Sequence, residues 1–184
     1  MPFSDSRNQA VQSTRPATFY VLSAATAPAL NKSMLSLAVS AGSSRKVTLR
    51  DIFIVNTQTA AIVGVNTEFQ LFRFATHTVG SLLTAVAYDT LDSLSGTVTC
   101  RTGATIAGEV ATPLRQWYLC GDESVAGAAT NQGVQLYSQF APALGLANYK
   151  QPIIRGGEGL HIKCITNIAV GQWGIGVVFT EDDA

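Results

Sequence analysis

Charge is scarce in this chain. Lys, Arg, Asp and Glu supply 13% of its 184 residues, about half the usual share for a soluble domain. The charges cancel, twelve against twelve, to a formal net charge of +0. No broad field is available to gather nucleic acid or anionic lipid, so neither is expected as a partner. Aromatic residues are also few, at 8%, which argues against a stacking platform for single strands. Arg45-Lys46 is the only adjacent basic pair.

Long apolar runs are missing as well. Ala60-Ala61-Ile62-Val63-Gly64-Val65 is among the longest, far short of the roughly 18 residues that a membrane helix needs. The opening "MPFSDSRNQAVQSTRP" has no basic stretch followed by an apolar one, so no secretory leader is expected and synthesis in a cytoplasm is. The three cysteines, Cys100, Cys120 and Cys164, are odd in number and match no zinc or redox spacing; buried free thiols are the expectation.

Chemical motifs are equally thin. His77 and His161 are the only histidines; no H-x-x-x-H or H-x-E spacing suggests a metal, and surface or interface positions are expected for both. No G-x-S-x-G elbow is present to support a hydrolase triad. The pairs Asp89 with Asp92 and Asp122 with Glu123 fit turn formation better than paired acid and base. Trp117-Tyr118 fits a core edge better than a ligand contact. No catalytic, cofactor-binding or metal-ligating residue is assigned, and no enzymatic activity is expected.

What the chain does contain is short β-prone runs between Gly, Pro, Asn and Ser. At 184 residues it can bury about 70% of its open-chain surface, enough for one core. Eleven runs read as strands, starting near residues 18, 33, 46, 68, 79, 96, 115, 133, 152, 159 and 172. The segment "LLTAVAYDTLDSL" competes as a helix, and "ESVAGAATNQG" reads as a long loop. Val47, Leu49, Asp51, Phe53 and Val55 share one face by strict alternation, with Ile52 and Ile54 opposed, so that strand should be covered on both sides or change sheet. In the last strand Trp173, Ile175, Val177 and Phe179 should face the core. The pattern predicts an all-β fold: a single β-sandwich over residues 18–184, of jelly-roll or Greek-key type, preceded by a flexible N-terminal arm over residues 1–17.

The stretch Arg155-Gly156-Gly157-Glu158-Gly159-Leu160 looks like a phosphate cradle but lacks the Lys and the following helix of a P-loop. It reads instead as a turn opening a strand, with Arg155 and Glu158 on its rim as candidate contacts for a neighbour. Gly174 and Gly176 fall on one face of the last strand, where another backbone or subunit can approach closely. These four residues are the candidate interface.

The C-terminal "QPIIRGGEGLHIKCITNIAVGQWGIGVVFTEDD" resembles the closing strand pair of small β-sandwich structural proteins of tailed bacteriophages, in which a GEGL-type turn opens one strand and a tryptophan-bearing VVFTE-type strand follows. The resemblance covers about the last 35 residues. It implies a virion component, foremost a capsid decoration (cement) protein that binds the major capsid protein on the shell surface, as a homo-oligomer with a trimer favoured. It implies no catalytic residues and no cofactor. Two alternatives stay open: another virion protein of tail, neck or head fibre, and a carbohydrate- or receptor-binding module.

Overall fold

The computed structural model describes residues 16–56, 65–121, 135–139, 151–166 and 172–183. The expected loop over 123–133 and all of the expected arm except Pro16 and Ala17 lie outside them. The strands are β1 Ala17–Leu22, β2 Ser33–Val39, β3 Arg45–Asn56, β4 Val65–Phe74, β5 Thr76–Thr78, β6 Ser81–Leu83 and β7 Val86–Ala87, followed by β8 Val98–Thr102, β9 Thr105–Ala107, β10 Arg115–Gly121, β11 Gln135–Gln139, β12 Ile153–Ile154, β13 Glu158–Cys164 and β14 Trp173–Asp183. Ten of the eleven expected strands form, whereas the expected strand from 79 breaks into β6 and β7, which join different sheets. The helical competitor over 82–94 does not form: its first half carries the end of β6 and all of β7, and turns follow Tyr88.

All pairings are antiparallel, and four of them nest. β1 pairs with β14, β2 with β13, β3 with β11 and β4 with β10. The chain is thus doubled like one long hairpin, its bend between β4 and β10, and the doubled strands alternate between two sheets. One sheet runs β11-β3-β14-β1-β7, with β12 also on β3; the other runs β10-β4-β13-β2-β8-β6; a small third sheet pairs β5 with β9.

The two large sheets face each other across one apolar core. Trp173, Ile175, Val177 and Phe179 of β14 are all buried in it, as alternation predicts. Phe179 stacks on Phe19 of β1 at 5.7 Å, and Trp173 meets Phe69 of the opposite sheet edge-on at 5.4 Å. Each such side chain contributes about 2 kcal/mol by leaving water. Cys100 and Cys164 are buried free thiols; burial pushes Cys100 up to about 12 and raises Cys164 as well.

β3 departs from strict alternation for a definite reason. Asp51 pairs with Val178 but Leu49 pairs with Phe179, which leaves Arg50 as an extra residue in a β-bulge. The bulge flips the phase: Val47 and Leu49 point inward before it, Ile52 and Ile54 after it. The strand neither changes sheet nor keeps Val47, Leu49, Phe53 and Val55 on one face. Met34 is the corresponding extra residue in β2, whose partners step from Leu35 to Ser33. This is how consecutive Met34 and Leu35 both reach the core.

Candidate functional site

Between β4 and β10 the chain makes a 40-residue excursion, residues 75–114, that carries β5 to β9. Its two ends, paired with each other as β5 and β9, lie on the outer face of the β13 sheet. Side chains that alternation sends outward there are buried all the same: Ser36, Ala38, Phe72, Phe74 and His161. On β13 the ring of Phe74 lies across Gly159, where an added Cβ would collide with it.

Two polar clasps hold the excursion down. In the first, His77 of β5 bridges Ser36 Oγ through Nδ1 and Thr99 Oγ1 through Nε2, both at 2.8 Å. Ser36 Oγ can also donate to the Arg101 carbonyl at 3.3 Å, and which ring nitrogen of His77 donates follows its tautomer. Burial, then the charge of Arg101, lower His77 to about 4. A serine that is wholly buried, beside an imidazole so weakly basic, is a cross-link and not a nucleophile.

In the second clasp Glu109 reaches back to β13. Its Oε2 lies 2.8 Å from His161 Nε2, and its Oε1 accepts from Lys163 Nζ at 2.7 Å. The contact to His161 is short but bent away from hydrogen-bond geometry, so it acts on the ring chiefly through charge. His161 is 1% exposed, beside the rings of Phe72 and Phe74, and among the described residues its Nδ1 has no partner. Burial outweighs Glu109 and, with help from Lys163, lowers it to about 4. The expectation of a surface or interface histidine is corrected here: His161 is buried by its own chain. Only the tertiary placement of the excursion does this; the sequence around His161 alternates like a half-exposed strand.

The glycine turn folds as expected. Glu158 N–H donates to Arg155 O at 2.9 Å, with Gly157 at φ 82°, the left-handed value of a type II turn. Gly156 allows the carbonyl of Ser43 to approach, since a Cβ there would sit 2.6 Å from it. The Glu158 carboxylate is engaged within the chain, accepting from Arg155 N–H at 2.9 Å and lying 3.8 Å from Arg73 Nη1. Arg155 itself is exposed. The close approach at Gly176 also comes from within: the ring of Phe53, its cross-strand partner on β3, covers it. Gly174 meets only the Ser23 carbonyl, 3.8 Å from a would-be Cβ. The four candidate interface residues therefore fall in two places, the β13 turn and the outer face of the β14 sheet. Arg45 and Lys46, the adjacent basic pair, are spent on Asp183 at 2.8 Å and Asp182 at 3.1 Å.

The exposed apolar side chains mark a different surface. Among the described residues eleven large ones are exposed, and seven of these belong to the excursion: Val79, Leu82, Val86, Tyr88, Leu91, Val110 and Leu114. Val79, Leu82, Val110 and Leu114 flank the cap over the β13 sheet, where Arg101 holds the Val79 carbonyl and the amides of Val110 and Leu114 bond to Arg73 and Leu71. Val86, Tyr88 and Leu91 lie where the excursion crosses to β1 of the other sheet. Sequence reasoning read residues 79–88 as one strand and missed both β5 and β9, each three residues long; the run of exposed Val and Leu was the available signal. Searches against protein families, curated proteins and solved structures find nothing that matches this chain.

Proposed function

We propose that this protein is an assembly subunit, a virion structural protein of the capsid-decoration type that docks on the outer surface of a phage shell. The observation that carries the reading is the concentration of exposed apolar side chains on one excursion, held rigidly over a sheet face by two polar clasps. A solvated loop has no use for Val79, Leu82, Val110 and Leu114 in the open, whereas a docking surface does. The low charge of the chain supports it, because charge-poor surface is cheaper to bury. The nested strand pairs support reading the sandwich as a jelly roll, a fold common among capsid proteins, though fold alone does not assign function. The major capsid protein is the partner this implies, with a homotrimer as the assembling unit.

The test is direct. Purified protein is sized by light scattering and sedimented with empty shells, alongside a V79S/L82S variant. An oligomer that co-sediments, with binding weakened at least tenfold in the variant, is the expected result. A monomer that ignores shells would refute the reading, and binding to isolated tails instead would move it to the tail.

A further inference from the structure

Where the excursion crosses to β1, Tyr88 forms a corner with Tyr20. The rings meet edge to face, 6.0 Å apart and inclined by 73°. Tyr20 is 36% exposed and Tyr88 66%. Phe53, lying flat over Gly176, and Ala87 complete a hollow of about 480 Å3 with these tyrosines. A second hollow of about 450 Å3 is also lined by Tyr88, with Thr18, Asp89, Thr90 and Asp92. The two share Tyr88, the first lined otherwise by apolar side chains and ring faces, the second by hydroxyl and carboxylate groups. Each is within the size range of small-ligand sites.

From this arrangement we infer a carbohydrate-binding site that takes a neutral glycan, with a sugar ring laid on Tyr88 and its neighbouring hydroxyls donated to Asp89 and Asp92. A pyranose has one face of C–H bonds and a rim of hydroxyls. Its C–H face suits the negative face of an aromatic ring, and a pair of adjacent hydroxyls matches the two oxygens of a carboxylate. The acidic turn is held in place beforehand: Asp89 Oδ1 accepts from the Leu91 amide at 3.0 Å, and its carbonyl accepts from the Asp92 amide at 3.0 Å. Such pre-ordering lowers the entropy lost on binding.

The chemistry selects among occupants. A buried protein interface excludes charge from its core, and two carboxylates at the mouth of this corner run against that. An anionic ligand would meet the same two carboxylates and no Lys or Arg among the lining residues. A neutral polyol uses the rings and the carboxylates together. The site is independent of the docking surface proposed above, since Val79, Leu82, Val110 and Leu114 flank the opposite sheet.

The full chain is screened on an array of neutral glycans, and hits are titrated as free disaccharides, with cellobiose, mannobiose and chitobiose as the starting probes, by calorimetry and by the ring resonances of Tyr20 and Tyr88. Binding in the millimolar range or tighter is expected. Y88A and D92N should each raise Kd at least tenfold while leaving the far-ultraviolet dichroism unchanged, and Y118A, an exposed tyrosine on the other sheet, should bind as wild type. The inference is overturned if no neutral sugar binds at 10 mM, on the order of the weakest useful affinity, or if Y88A and D92N bind as wild type. Capture of a basic peptide at the same rings without any sugar would also overturn it. Shell binding that survives saturating sugar separates this site from the docking surface.

Discussion

Acid should unfold this protein partly through His161, and the size of the effect follows from where the ring sits. His161 is held at about 4 in the fold against 6.5 when solvated. As pH falls the unfolded chain therefore takes up the proton first, and the folded state is penalised. The contribution of the neutral ring is whole above pH 6.5 and drains away as pH falls toward 4. Linkage places the total at about 3 kcal/mol, of which about 2 kcal/mol is lost between pH 7 and pH 5. The perturbation is His161→Leu, which fills the space between Phe72 and Phe74 with a group that does not titrate. Urea unfolding is measured at pH 7, 6 and 5 for both proteins. The slope is the readout and not the level, because the variant also strips Glu109 of one neighbour while Lys163 remains. Wild type should lose about 2 kcal/mol more than His161→Leu over the window; His77, lowered in the same direction, acts in both proteins and cancels. Equal slopes would refute the reasoning, as would a His161 ring resonance that titrates near 6.5.

Gly176→Val drives a side chain into the Phe53 ring and should cost about 1–3 kcal/mol by overpacking; adding Phe53→Ala should recover part of the loss in a double-mutant cycle, and strict additivity would place Phe53 elsewhere. Gly157→Ala imposes a side chain on a φ of 82° and should lower stability by about 1–2 kcal/mol, read as a fall in the urea midpoint at constant slope. Deleting Arg50 removes the extra residue of the β3 bulge and restores strict alternation with Val47, Leu49, Ile52 and Ile54 all inward; the product should keep a cooperative melt, and loss of the folded state would refute the bulge as the cause of the phase change.

Much of the fold was legible in the sequence because alternation is a local property. The row of Trp173, Ile175, Val177 and Phe179 needs only the period-two geometry of a strand to be placed inside, and the glycines of the "RGGEGL" stretch announce a turn through their own freedom of φ. The β3 reading failed because a bulge is set by the partner strand: nothing in "KVTLRDIFIVN" says that Arg50 has no register position opposite it on β14. His161 was misplaced for a similar reason. A residue on the outer face of a sheet is exposed unless something covers it, and the cover for His161 comes from residues 75–114, between 47 and 86 positions earlier.

The all-β character, the scarcity of charge, the one apolar core and the glycine turn that opens β13 are written along the chain. The nesting of the doubled strands between two sheets, the sealing of one outer face by His77 and Glu109, and the corner where Tyr20 and Tyr88 meet arise only on folding. The difference lies in the range of the forces behind each feature. Strand and turn preferences act within a few residues and are spelled out along the chain, whereas coverage of a face and the meeting of two rings depend on which distant segments the packing brings together.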